Sequence, residues 1–313
     1  MTSNQTSAKQ DNRVYSNLDD LVRLRYQASG FSFLPKQPVH SVLSGRHASR
    51  LRGRGLNFEE LRDYLPGDDI RNIDWKVTAR TQKPHVRVYT EEKDRPVWLL
   101  VDQRMSMFFG SKWKMKSTIA AEAAAISAWR VLSGGDRVGA IVFNDEQKVT
   151  IQPHRSDERV MQILKQIVEF NQKLSVQSAI TPSESMLDEA LYEVLQFAKH
   201  DCLIIVISDG SGLSPLSRKR ITQLSQHNDL LFAYVYDPLE QQIPRSGPLW
   251  FTDGSNQVEL DSSKTLFGQS YTSDFDENLE RMKTVSRQYS IPLLPCSTER
   301  SVLEQVREQL GHH

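Results

Sequence analysis

Cysteine is nearly absent: Cys202 and Cys296 are the only two in 313 residues, and both sit in apolar, strand-like stretches. That excludes a disulfide-stapled scaffold and suits core filler in a reducing compartment. Also missing is any run near the roughly 18 apolar residues that a membrane-spanning helix needs, so no membrane insertion is expected. The opening MTSNQTSAKQDNRVYSN lacks the apolar centre of a signal peptide, and the cytoplasm is the expected location. Charge of one sign is not in excess. With 39 Lys plus Arg against 39 Asp plus Glu, the chain as a whole has no bias toward nucleic acid or anionic membrane.

The motifs of the common enzyme classes are missing too. The eight histidines show no HExxH or similar metal-ligand spacing. No Walker A sequence occurs, so ATP hydrolysis by this chain is not expected. A dinucleotide fold needs GxGxxG in its first strand-to-helix turn, and DQRMSMFFG has no such glycines. GRGLNF keeps only the spacing of the first two glycines, follows no clear strand and opens no helix. There is no GxSxG elbow, and neither cysteine has a histidine nearby in sequence. A haloacid-dehalogenase-like phosphatase would carry an acid two residues after its nucleophilic Asp, where Arg104 follows Asp102.

What is present is a strong strand–helix rhythm. Continuous β-branched or aromatic runs occur at 97–101, 138–143, 203–207 and 230–236, with a shorter one at 291–295. Such runs suit strands buried on both faces of a mostly parallel sheet. Helical spacing separates them at 117–132, 157–170, 185–199, 217–227, 276–289 and 300–310. The expected fold is a doubly wound α/β domain over 96–311. FNDEQKVTIQ is too short for a crossover helix, so the strand after Asn144-Asp145 should pair antiparallel at an edge. LWFTDGSNQVELD reads as a hairpin inserted beyond the fifth strand. Upstream, 1–17 reads as disordered, and 18–95 as a helix at 18–28 followed by a small β-rich antiparallel unit.

Ligands of open α/β sheets bind beyond the carboxyl ends of strands. Here those ends carry Asp102, Asn144-Asp145, Ser208-Asp209-Gly210 and Asp237. Carboxylates with the hydroxyls of Ser106 and Ser185 are the ligand types of Mg²⁺ or Mn²⁺, although the same residues also cap helices and solvate loops. The loop at Asp102 and Ser106, with Ser185 and Asp209, resembles the metal-ion-dependent adhesion site of von Willebrand factor A domains. The resemblance implies a metal with one position open for a partner's carboxylate. Arg104 stands where the family has the middle serine. A guanidinium about 5 Å from a divalent ion is repelled by roughly 6 kcal/mol at an effective dielectric of about 20. Arg104 is therefore expected to lie between Asp102 and Asp209 in place of the cation, with no cofactor bound. The alternative has Arg104 facing solvent and a metal held by Asp102, Ser106, Ser185 and Asp209.

A second resemblance covers residues 44–80, SGRHASRLRGRGLNFEELRDYLPGDDIRNIDWKVTAR, which is similar to the hallmark stretch of the bacterial "domain of unknown function 58" family. That family places a β-rich segment before a von Willebrand A-like domain, and this chain resembles its short, soluble subgroup. The resemblance implies a non-enzymatic adaptor or client-handling partner of a MoxR-type AAA+ ATPase and of other von Willebrand A-domain proteins. Within the motif, Tyr64, Asp68, Asp69, Arg71, Asp74 and Trp75 read as an interdomain brace or as a docking surface. Arg46, Arg50, Arg52 and Arg54 have few acids nearby and read as a partner surface or a solvated loop. Nucleic-acid binding through 36–56 is the alternative function, and a Mg²⁺-dependent hydrolase at Asp102 and Asp209 a weaker one.

Overall fold

The computed structural model describes residues 11–28, 56–91, 94–177, 181–183, 185–241, 248–252, 257–261, 277 and 279–310. Two compact units divide the chain: Met1–Val39 with Arg95–His313, and His40–Asp94. The first helix, α1 (Leu18–Arg23), opens where the Asn17 side chain accepts a hydrogen bond from the Asp20 N–H. It belongs to the larger unit, not with the β-rich segment it was grouped with above. Its Leu21 is buried, and the Trp129 indole donates to the Leu21 carbonyl at 3.2 Å.

Residues 11–17, expected to be disordered, are instead ordered against the larger unit. Val14 and Ser16 are buried. The Thr118 hydroxyl donates to the Val14 carbonyl at 3.1 Å, and the Ser16 N–H donates to Asn171 Oδ1 at 2.7 Å. A polar composition hid two apolar anchors, Val14 and Tyr15. Residues 1–10 lie outside the described residues.

In the smaller unit β1 (Leu56–Asp63) pairs antiparallel with β2 (His85–Glu91), with a bulge between Phe58 and Glu60. The sequence reading expected this pairing but not α2 (Trp75–Thr81), which stands between the strands. Asp74 starts that helix by accepting from the Lys76 and Val77 N–H groups, a standard N-cap. The acids of the motif are used inside the unit. Asp68 pairs with Arg62 at 2.7 Å and Asp74 with Arg87 at 2.8 Å, while Asp69 accepts from the Arg71 N–H. The Tyr64 N–H donates to the Pro84 carbonyl, and Trp75 is 69% exposed. Arg46, Arg50, Arg52 and Arg54 lie outside the described residues.

The larger unit forms as the apolar runs predict. β3 (Pro96–Asp102) leads to α3 (Lys116–Ser133), then β4 (Arg137–Phe143), β5 (Lys148–His154), α4 (Asp157–Gln172) and α5 (Ser185–Phe197). β6 (Leu203–Ser208), α6 (Pro215–Ser225), β7 (Asp229–Tyr236) and α7 (Pro238–Gln241) follow. The expected hairpin is β8 (Pro248–Thr252) with β9 (Gln257–Asp261), paired antiparallel. A helix over 279–289 (α8), β10 (Leu293–Ser297) and α9 (Val302–Leu310) close the unit. The main sheet has six strands in the order β10-β7-β6-β3-β4-β5, every pairing parallel except β4 with β5. The edge strand is antiparallel because its connection is too short to cross over.

Alternation along β3 assigns the two layers. Val97, Leu99 and Val101 join α3, α4 and α9 in one core. Trp98 and Leu100 join α5, α6 and α8 in the other. Strands covered on both faces need apolar residues at every position, which is why they read as continuous runs. Among the described residues no helix is long and apolar enough to cross a membrane.

Gly139 sits where β5 bulges against β4. A Cβ there would lie 2.5 Å from the Ile151 carbonyl oxygen and 2.6 Å from the Pro153 nitrogen, both backbone atoms. Gly139→Ala should therefore destabilise the unit by about 1–3 kcal/mol in urea unfolding, the usual cost of overpacking. An unchanged midpoint would show that the edge strand yields freely.

Candidate functional site

The strand order reverses between β3 and β6, and their carboxyl ends present Asp102 and Asp209 side by side. A cavity of about 920 Å³ opens above them, lined by Arg104, Ser106, Lys116, Asp145, Ser185 and Asp209 among others. The loop after β3 turns on Asp102, which accepts from the Arg104 N–H at 3.0 Å. That turn sends the arginine side chain back over the strand end.

Arg104 is 2% exposed, so the solvent-facing alternative does not hold. Its Nε and Nη2 donate to the two oxygens of Asp102 at 3.0 and 2.7 Å. Nη2 also donates to the Ser211 carbonyl at 2.9 Å and Nη1 to the Ser183 carbonyl at 3.2 Å. The Phe143 ring lies 5.6 Å below the guanidinium. Asp102 is completed by the Ser208 hydroxyl at 2.7 Å. As expected, the arginine lies between the two acids, but unequally: it hydrogen-bonds Asp102, and its Nη2 forms only a longer ion pair with Asp209 at 4.0 Å. The donors are already used: both Nη2 protons go to Asp102 and the Ser211 carbonyl, and Nη1 donates to the Ser183 carbonyl.

Asp209 takes a different cation, Lys116. The ammonium donates to Asp209 at 3.0 Å and to Glu240, on α7, at 2.6 Å, and it is buried with both. Lys116 opens α3, at the positive end of the helix dipole, with no side-chain cap at Met115. A lysine there is disfavoured unless acids surround it. Sequence reasoning missed Lys116 and Glu240. α3 is buried along most of its length, so a lysine at its start needs acids around it, but the sequence beside Lys116 does not say which acids these are.

The remaining strand-end groups are satisfied in the same way. Asp145 accepts from the Met105 and Ser183 N–H groups at 2.6 and 2.8 Å, pinning the loops that hold Arg104. Asp237 accepts from Ser111 and Thr298. Asp188 accepts from Ser214 and Ser217 at the start of α6. Ser106 Oγ is buried with no hydrogen-bond partner, and Ser185 is exposed with its Oγ 3.3 Å from that of Ser183. Both serines border the cavity, and neither hydrogen-bonds to Asp102 or Asp209. A divalent cation does not fit this donor set. The oxygens of Asp102 and Asp209 are already held by N–H and O–H donors, and among the described residues no three His, Cys, Asp or Glu side chains form a metal-binding group.

Burial raises the Glu240 carboxyl above the ordinary glutamate value against the pull of Lys116. Burial pushes Asp209 the same way, but the charges of Lys116 and Arg104 outweigh it and hold this carboxyl at about 2. The Asp209 contribution to stability is thus present above its ordinary value of 3.8 and is lost as pH falls toward about 2. The shift corresponds to about 2 kcal/mol. Urea unfolding of wild type should show that loss across this acid window, and Asp209→Asn should lack it. Parallel pH profiles for the two proteins would remove Asp209 as the cause.

The family model described as "Protein of unknown function DUF58" matches residues 60–283. The chain belongs to the DUF58 family. Among curated proteins, this DUF58 chain is 29% identical over 224 residues to the "Uncharacterized protein Rv1480" of Mycobacterium tuberculosis, covering 71% of this chain and 68% of that protein. The "Uncharacterized protein Mb1516" of Mycobacterium bovis matches equally. Among solved structures, the conserved hypothetical protein BatB from Bacteroides thetaiotaomicron is 15% identical with a TM-score of 0.37, covering 67% of this chain and 93% of that one. The SpRpn10 VWA domain is 10% identical with a TM-score of 0.33, covering 69% and 95%.

Proposed function

We propose that this DUF58 protein is a non-enzymatic protein-interaction module that receives its partner at the strand-end cavity. Arg104 and Lys116 there take the place of the divalent cation of an adhesion-type site. The observation that carries the reading is the bidentate Arg104–Asp102 pair buried at the switch point, beside the buried Lys116–Asp209 pair. Two internal cations meet the charge of the two strand-end acids, so the site is preorganised without an ion that could dissociate. Both acids are also committed to these cations, which leaves neither of the two free to act as a general base. The partner implied by the family resemblance is a MoxR-type AAA+ ATPase.

Arg218, exposed at the cavity rim and with no ion pair among the described residues, is the group best placed to touch a partner. Arg218→Glu should weaken co-purification with the cognate MoxR-type ATPase by at least about tenfold, the scale of a reversed rim charge at a complementary interface. Lys165→Glu, on the exposed face of α4, should not. Equal retention of both variants would place the partner elsewhere, and no retention by wild type would remove the ATPase.

A further inference from the structure

A second concavity lies away from the strand ends, on the outer face of α5 and α6. It has a volume of about 600 Å³. Its walls are helical stripes of matching spacing. Tyr192, Leu195, Gln196 and Lys199 rise along and just past α5, and Leu216, Lys219, Arg220 and Gln223 face them along α6. Each set follows the i, i+3, i+4, i+7 spacing that places residues on one helix face. The two faces together border one open trough.

The trough combines apolar surface with charge of one sign. Tyr192 is 54% exposed and Leu216 47%, although both sit on helices whose other faces are packed in the core. Lys199, Lys219 and Arg220 line it, and among the described residues no carboxylate does. Lys199 and Lys219 form no ion pair among the described residues. Arg220 is fixed in place and its charge is met: it donates to the Asp188 carbonyl, pairs with the Asp188 carboxylate at 3.8 Å and lies 5.1 Å from the Tyr192 ring. A chain with equal numbers of acids and bases that lines one groove with bases alone presents a complementary surface for an acidic ligand.

We infer that the α5–α6 trough is a docking site for an amphipathic helix of a partner protein, one with an apolar stripe flanked by Asp and Glu. The apolar stripe would cover Leu216, Leu195 and the Tyr192 face, and the flanking acids would meet Lys199 and Lys219. Recognition of this kind reads a helix by its i, i+3, i+4, i+7 anchors. The site is separate from the strand-end cavity and does not depend on the function proposed for it.

The test places a photo-crosslinking amino acid at Gln223, and as a control at Lys165, in the full chain expressed in its native cell. Adducts are mapped by mass spectrometry. The mapped segment, made as a synthetic peptide, is then titrated against wild type and Lys199→Glu/Lys219→Glu. The expected result is an acidic amphipathic segment crosslinked from Gln223 alone. Its affinity should fall about tenfold or more in the double variant, whose circular dichroism stays unchanged, and should weaken with salt as screened charge pairs do. A nucleic-acid adduct, a basic segment, equal labelling from Lys165, or unchanged affinity in the double variant would each overturn the inference.

Discussion

Arg104→Ser is expected to lower stability by about 3–5 kcal/mol in EDTA, because it strips the buried Asp102 of its bidentate partner. The same substitution should make the protein respond to metal. With the guanidinium gone, Asp102 and the new hydroxyl face an emptied position beside Asp209, and oxygen ligands of this kind suit Mg²⁺ or Mn²⁺. At about 5 mM Mg²⁺, a site with a Kd near 0.1 mM returns about 2.3 kcal/mol. Thermal unfolding of wild type should be indifferent to EDTA and MgCl₂, and that of Arg104→Ser should rise with the ion. Equal metal responses in the two proteins would mean that the arginine has not replaced the cation. Lys116 stays in the variant, so Asp209 keeps a charged neighbour and the site is not simply a hole.

Lys116→Met carries the second large effect. It leaves Asp209 and Glu240 buried near one another with no ammonium between them, a loss of about 3–5 kcal/mol near neutral pH. Two like charges in low dielectric cannot both stay ionised, and Glu240, already raised by burial, is the one to take a proton. A raised folded-state value means stability that is full below the ordinary glutamate value of 4.5 and is lost as pH rises through the folded one. The deficit of the variant should therefore shrink as pH is lowered toward about 5, because removing the Lys116 charge raises Glu240 further than burial alone does in wild type. Urea midpoints at several pH values measure this directly. A deficit that does not change with pH would indicate lost packing of the lysine stem instead of unpaired charge.

The fold was legible because its strands are apolar at nearly every position and its helices are not. Val97–Val101 and Leu203–Ile207 have no polar position to misplace, and the turn at Asn144–Gln147 is too short for anything but an antiparallel edge. Less could be read where one or two residues decide. Val14 and Tyr15 anchor a segment that composition assigns to disorder. α2 hides in a motif whose charge pairs overshadow its Asp74 cap. At the site, the pairing of Arg104 with Asp102 is local, two residues apart, and so it could be anticipated. Lys116 reaches Asp209 across 93 positions of sequence, and Glu240 across 124, so nothing in their neighbourhoods announces the meeting. Ordinary helix-starting lysines look the same in a string of letters.

The clasp made by residues 11–28 has a consequence for how the protein emerges during synthesis. Its partners are Thr118, Trp129, Asp157 and Asn171, reached across 104 to 155 positions of sequence. The smaller unit lies between the clasp and its seat in chain order. At about 5–20 residues per second, a ribosome needs on the order of 10–30 s after making Ser16 before Asn171 exists to receive it. Through that interval the core that Val14, Leu18 and Leu21 enter is incomplete. Residues 11–28, made before everything they bind, are among the last pieces that can lock, and a nascent chain halted before α4 would expose them to whatever binds apolar segments at the tunnel exit.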